Sequence, residues 1–405
     1  MNLIHEQRKQ PRSRLLNCGW VILVTLVNLI LADGVRAEVK LQIGIIQRFG
    51  QADRPTALRL ASTPGNTLTL TVPGEPQPQS LKTEAVTLEI EAAELSQPVV
   101  SERLVLSDHS TFETAEDSAE QWRERGLAVE ITQPDRWQVW AKRAVYRTPL
   151  LRRLLLESLK NQGINEPYLE TALLRAKPRV TFTVAGKHYS LTEIQIVASD
   201  AQIRVGQGKT PQDYRLYGGS LKVQPNAYGT YTLVNEVGLE TYLRGVVPHE
   251  IGPQAPAAAI AAQTIIARTY ALRNLRRFEA DNYQLCADTH CQVYYGLSGT
   301  SPQADRAIAA TKGLVLTYNN ELVDALYSST TGGVTANFSD IWNGEERPYL
   351  RPIVDAPTPL WNLSQESLAD EQAFRRFIAL NQGFNETGRN VFRWHRQSTL
   401  EQLSE

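Results

Sequence analysis

The sequence predicts an α+β protein, with mixed β-sheets around one buried central helix, preceded by smaller β-rich and α+β modules. Three observations carry this. Residues 38–100 are rich in Val, Leu, Ile and Thr in alternation, as in VKLQIGII and TLTLTV, the period of half-buried strands. Residues 257–272 hold no Gly or Pro and are dominated by Ala, so helix propensity there is high. Apolar positions nearly encircle that same segment, the pattern of a buried helix. With 405 residues and 42% hydrophobic content, two or three ordinary globular domains are expected. The net charge of −1 leaves no basic footprint, which argues against nucleic acid as a partner.

Along the chain, Arg8, Lys9, Arg12 and Arg14 precede an uncharged apolar run from Leu15 to Leu31, and Val35-Arg36-Ala37 offers a small-residue cleavage site. Residues 1–37 therefore read as a signal peptide, cleaved after Ala37, or as an N-terminal membrane anchor, since the run is long enough to span. Either way the bulk of the chain is expected to be exported, touching a membrane only through that segment. Cys18, inside the run, is read as incidental.

Residues 38–147 form a β-rich and α+β region. A Pro-rich turn, VPGEPQPQ, interrupts the strands, and ERLVL leads to a helix opening at Thr114 with Asp117 three residues on, a capping-box pattern. That helix ends at Gly126, and strands LAVEI and WQVWA follow. The order β-α-β-β resembles a SPOR-type glycan-binding repeat. Residues 148–204 connect onward. A helix starts at Thr148-Pro149 and carries Leu150, Leu151, Leu154, Leu155 and Leu159, a spacing that means a core or docking face. VTFTVAGKHYSL and IQIVASDAQIRV add further strands.

The stretch Leu239–Leu275 organises the rest. It reads as a strand end at Val234–Val237, a turn, an apolar loop punctuated by Pro253 and Pro256, and then the long helix, with Pro256 suited to the first turn. Glu250 falls between Val246-Val247-Pro248 and Ile251, so it is expected to be partly buried. It also stands just before the helix N-terminus, whose dipole favours the charged carboxylate. Arg268, on the helix, is expensive to bury and should have an anionic partner.

LETYLRGVVPHEI followed by AAQTIIARTYAL resembles the SpoIID/LytB family, the stage II sporulation protein D and amidase-enhancer group. YGGSLKVQPNAYGTYTLVNEV, CADTHCQVYYG, ATKGLVLTYNNELVDALYSSTTGGVT and RPYLRPIVD agree in order. The likeness covers roughly residues 205–400, within a domain of residues 205–405. It implies a periplasmic or cell-wall protein that remodels peptidoglycan. The expected activity is that of a lytic transglycosylase on glycan strands without stem peptides. The alternative is a non-catalytic wall-binding protein that enhances a partner amidase. No cofactor is required by this chemistry.

The resemblance places Glu250 at the family's catalytic glutamate. A lytic transglycosylase uses one carboxyl to protonate the leaving oxygen and then to take the proton of the sugar's C6 hydroxyl. One Glu therefore suffices, provided an apolar setting keeps it protonated. Capping of the following helix is the structural alternative for Glu250. Arg268 matches the arginine of the family's ARTYAL block, to bind a sugar carboxyl, orient Glu250, or hold the helix by an ion pair. Gln263 and Thr264 are candidates for sugar hydroxyls. So is the turn Tyr327-Ser328-Ser329 to Gly332-Gly333, where glycines let the backbone approach a ligand. Trp342 could stack on a sugar face or serve as core.

Some family members bind zinc near Cys286, His290 and Cys291. Three ligands fall short of a closed site unless Asp288 or water completes it. In an oxidising compartment a Cys286–Cys291 disulfide is the competing expectation. Two departures from the family weaken catalysis: Ala336 and Asn337 stand where a glutamate usually follows the Gly-Gly turn, and the glycine-rich W-G-H-G block is absent after FRWHRQSTLEQLSE. The domain is thus expected to lack its C-terminal part.

Overall fold

Strand β1 (Lys40–Phe49) buries Leu41 and Ile43 in alternation, and the computed structural model continues that pattern through one large mixed sheet. It describes residues 38–51, 57–73, 77–206 and 213–404, so the expected signal or anchor segment and part of the Pro-rich turn lie outside the described residues. The strands that follow are β2 (Ala57–Ser62), β3 (Leu68–Val72), β4 (Gln79–Thr83), β5 (Ala85–His109), β6 (Val129–Thr132), β7 (Trp137–Ala141), β8 (Tyr168–Val184), β9 (Lys187–Leu191), β10 (Ile194–Gly206), β11 (Tyr214–Pro225), β12 (Tyr231–Gly238) and β13 (Leu285–Cys286). The main path runs β13-β1-β12-β11-β10-β2-β5-β7-β6, with β3-β4 attached to β10 and β8-β9 attached to β5. Its ladders are antiparallel except β1 with β13. The α+β class predicted from the sequence is what forms.

Helix α1 (Phe112–Glu124) and helix α2 (Pro149–Asn161) give the middle of the chain the order β5-α1-β6-β7-α2-β8, with neighbours β8-β5-β7-β6. That is the ferredoxin-like connectivity. The helix start differs from expectation by a few residues. Thr111, not Thr114, is the cap, and its hydroxyl accepts from the Thr114 N–H. Thr148 and Pro149 open α2 as the sequence predicts. Of its leucines, Leu159 is buried, whereas Leu150, Leu151 and Leu154 stay exposed. The sheet face at Trp140 is covered by Arg103, Arg143 and Tyr228, so that part of the module is closed by its own chain.

The largest difference lies at LETYLRGVVPHEI. It is not a turn and loop but helix α3 (Leu239–Ile251), ended by Gly252 at φ 84°. Leu239, Tyr242, Leu243, Val246 and Val247 are buried at helical spacing, and this outweighs the missing N–H of Pro248. Helix α4 (Ala257–Arg273) then packs beside α3 and α5 (Pro302–Ala310). A second, smaller core of Phe377, Phe384 and Phe392 gathers around α6 (Glu371–Ala379).

Module and helices are tied at one seam. Phe112 packs edge-on to Trp137 at 5.1 Å, Trp137 meets Phe278 at 5.1 Å, and the Arg277 guanidinium sits over Phe112 at 4.3 Å. Phe112→Ala should therefore lower unfolding stability by about 3–5 kcal/mol, measured by denaturant titration; a loss under about 1 kcal/mol, within the range of surface changes, would show that the seam is not part of the core.

Candidate active site

Glu250 stands in the last turn of α3, not before the N-terminus of α4. Its Oε1 accepts the Val293 N–H at 2.7 Å, and the Tyr327 hydroxyl also donates to it. Burial pushes its carboxyl up from the ordinary 4.5, more than the two hydrogen bonds and the neighbouring His249 pull it down. The negative end of the α3 dipole acts in the same upward direction, so the tension foreseen from a helix N-terminus does not arise. Tyr327 is itself pushed well above the usual phenol range, chiefly by burial of its hydroxyl and by the Glu250 charge. Tyr327 as a whole is 36% exposed, while its hydroxyl lies in a buried setting.

A fully buried amide fixes that tyrosine. Gln292 donates from Nε2 to the Tyr327 hydroxyl at 3.1 Å and to the Ala267 carbonyl at 3.3 Å, and its Oε1 accepts from the Tyr242 hydroxyl at 3.2 Å. Three separate segments thus meet: the end of α3, the irregular Gln292-Val293 segment and the Tyr327 loop. Gln292 and Val293 were not singled out from the sequence, although they lie in the CQVYYG block; nothing in composition marks a backbone N–H or a buried amide as part of a site.

Arg268 goes elsewhere. Its guanidinium, 1% exposed, makes a bidentate pair with Glu240 at 3.0 and 2.7 Å and donates to the Leu314 carbonyl at 3.1 Å. Among the described residues Glu250 is not one of its partners, so the structure favours the ion-pair reading over a sugar contact. Thr264 is fully buried and donates its hydroxyl to the Ile260 carbonyl at 2.8 Å. Gln263 is buried, with an Nε2 that has no partner among the described residues.

Cys286 and Cys291 are joined as a disulfide, with Cα atoms 5.5 Å apart. This corrects the zinc reading of Cys286, His290 and Cys291. Both sulfurs are spent in the bond, His290 is exposed, and no group of three metal-binding side chains occurs among the described residues. The bridge closes the loop just before Gln292-Val293, and β13 beside it is hydrogen-bonded to β1.

The hydroxyl-rich turn after Tyr327 is fastened rather than open. Ser328 donates to the Thr330 carbonyl at 2.8 Å, and Ser329 is exposed. Gly332 and Gly333 take φ of 65° and 97°, and a Cβ on Gly333 would lie 2.8 Å from the Phe384 ring, so glycine is required there. Trp342 is half-buried and packs on Phe338 at 5.2 Å. It is not brought to Glu250. A cleft of about 1120 Å³ beside α1 has neither Glu250 nor Tyr327 in its walls. Its arginines are closed into ion pairs, Arg276 with Glu116, Arg143 with Glu130, Arg123 with Glu120, and Arg273 and Arg347 both with Asp324.

Residues 227–318 match the family model described as stage II sporulation protein (SpoIID). They contain α3, α4, Glu250, Arg268, the disulfide and the Val293 amide. Residues 336–405 match a second model, a domain of unknown function (DUF8618), and Tyr327 lies in the link between the two. The chain is similar to the amidase enhancer of Bacillus subtilis (strain 168), 31% identical over 190 residues, 40% of this chain and 26% of that protein. It is also similar to stage II sporulation protein D of the same organism, 32% identical over 153 residues, 33% of this chain and 44% of that one. An uncharacterized protein of Brachyspira hyodysenteriae is 27% identical over 189 residues, 45% of this chain and 49% of its own length. The chain thus spans between a quarter and half of the curated relatives it matches.

Two outcomes follow for the SpoIID region. In the native protein, peptides containing Cys286 and Cys291 should resist a thiol reagent until a reductant is added, and a chelator alone should leave them unlabelled. Labelling after chelation alone would point to a metal.

The second concerns Glu250. Because its folded pKa is raised, the unfolded chain releases this proton first, and folding stability contributed here is lost as pH rises from about 4.5 through the folded value. Glu250→Gln should therefore gain stability relative to wild type across that window, read from melting temperatures at stepped pH. A constant difference across the pH range would contradict the raised value.

Proposed function

We propose that this chain is an exported peptidoglycan-remodelling protein that cleaves denuded glycan strands as a lytic transglycosylase, with Glu250 as its single acid/base. The observation that carries the proposal is the setting of Glu250: a carboxyl at the C-terminal end of a buried helix, its pKa raised by burial, yet held in place by the Val293 N–H and the Tyr327 hydroxyl. A general acid must be protonated near working pH and must be aimed. Burial works toward the first condition and the Val293 N–H toward the second, without a second carboxylate among those contacts.

In the proposed reaction the Glu250 carboxylic acid gives its proton to the glycosidic oxygen as the bond to the N-acetylmuramic C1 breaks. The resulting carboxylate takes the proton of the sugar's C6 hydroxyl, whose oxygen bonds to C1 and closes a 1,6-anhydro ring. The proton count balances, and Glu250 returns to its starting state. Tyr327 and the Val293 amide hold the carboxylate between the two transfers. Arg268 serves by keeping α3 in place. Similarity to an amidase enhancer supports a second reading, in which the chain binds wall glycan and stimulates a partner amidase without cleaving.

Glu250→Gln should retain the fold and strand binding but lose about 10²–10⁴-fold in turnover, the usual worth of general acid–base catalysis. Digesting denuded strands with wild type and variant, and weighing the products, tests this. Anhydro ends from wild type alone are expected. Reducing ends would indicate a hydrolase, and binding without cleavage by the wild type would move the assignment to the amidase enhancer.

A further inference from the structure

The domain of unknown function closes on the turn that carries Tyr327, and one buried carboxylate makes the closure. Glu386 is 5% exposed. It accepts from the Thr330 hydroxyl at 2.9 Å, from the Thr331 N–H at 3.0 Å and from the Thr331 hydroxyl at 3.2 Å. A buried carboxylate must find such donors or lose its solvation without return, and the partners it finds all lie in the link between the two domains. Other contacts fix the same turn. Asp355 shares the single Thr331 hydroxyl proton with Glu386, at 3.1 Å, Arg393 donates to the Gly332 carbonyl at 2.7 Å, and the Asp355 N–H donates to the Gly333 carbonyl at 2.9 Å. Val334 and Val354 form a β-bridge just beyond.

Tyr327 is three residues from Thr330, and the Ser328 hydroxyl bonded to the Thr330 carbonyl stiffens the span. Where Glu386 holds Thr330 therefore decides where the Tyr327 hydroxyl lies against Glu250. We infer that residues 336–405 act as a clamp that sets Tyr327 against Glu250, with Glu386 as the positioning residue. This rests on the catalytic reading of Glu250 only for its effect on turnover; the placement of Tyr327 can be measured without it. Glu386 touches no reacting atom. Its influence passes through the Thr330-Thr331 turn, and a displacement of about 1 Å at a catalytic contact can cost as much as about 10²-fold in rate.

The test places 3-fluorotyrosine at position 327 of the full chain and follows its fluorine resonance with pH in wild type, Glu386→Gln, Glu386→Ala and Thr331→Val. Thr331→Val removes one hydroxyl while leaving the carboxylate's place filled, which guards against loss of fold in the alanine variant. In wild type the resonance should respond to Glu250 ionisation, a response absent in Glu250→Gln. In the Glu386 and Thr331 variants it should shift and lose that response while melting remains cooperative. On glycan strands the same variants should lower kcat with little change in KM. In a Tyr327→Phe background, Glu386→Ala should cost no more than about twofold further, because both changes break one path. An unchanged fluorine signal in folded variants, or a full additional loss in the Tyr327→Phe background, would overturn the clamp. A wild type that cleaves nothing but keeps the fluorine response would defeat the catalytic reading and leave the clamp standing.

Discussion

A guanidinium buried to 1% exposure cannot stand alone, and the carboxylate that answers Arg268 is Glu240, in the first turn of α3. The pair bolts α3 to α4, and the remaining donors of Arg268 reach the loop after α5 at Thr311 and Leu314. Removing one partner of such a pair typically costs about 3–5 kcal/mol, because the other charge is left buried and uncompensated. What depends on it here is direction. Glu250 lies ten residues beyond Glu240 on the same helix, about 15 Å along the axis at 1.5 Å per residue, so the angle of α3 set at Glu240 is the angle at which the carboxyl of Glu250 arrives.

The carboxyl arrives at a place prepared by parts of the chain far apart in sequence. The disulfide fixes the start of the Gln292-Val293 segment. For so short a loop the chain-entropy model gives about 2 kcal/mol, modest for stability but useful in holding a single N–H on its acceptor. Gln292, fully buried, links Tyr242 of α3, the Ala267 carbonyl of α4 and Tyr327 in one network. A buried network of this kind specifies one arrangement because any half-made version leaves polar groups unpaired. The C-terminal domain enters through Glu386 and completes the ring of supports.

Much of this was legible in the sequence, and the failures have physical causes. Alternation revealed the strands, the alanine run revealed α4, and Thr148-Pro149 marked the start of α2. The need of Arg268 for an anion is also readable; its partner is not, because LETYL reads as a turn. Pro253 and Pro256 suggest a loop, whereas the buried positions Leu239, Tyr242, Leu243, Val246 and Val247 hold the helix together despite the missing donor of Pro248. The two cysteines left disulfide and zinc open until their Cα separation decided it. Tyr327 was read as facing sugar, yet its hydroxyl turns inward to Glu250 and Gln292. The contact of Glu386 with Thr331 spans 55 residues, and no local pattern announces a pairing of that range.

The central claim is that burial raises the pKa of the Glu250 carboxyl while the Val293 N–H and the Tyr327 hydroxyl hold it in place. The most direct measurement is a carbon-13 NMR titration of the protein carrying carboxyl-labelled glutamate, with Glu250 assigned by the signal missing from Glu250→Gln. A midpoint above 4.5, rising further in Tyr327→Phe because a donor to the charged form is lost, is the predicted result. A midpoint at or below 4.5, or one indifferent to Tyr327, would contradict the account.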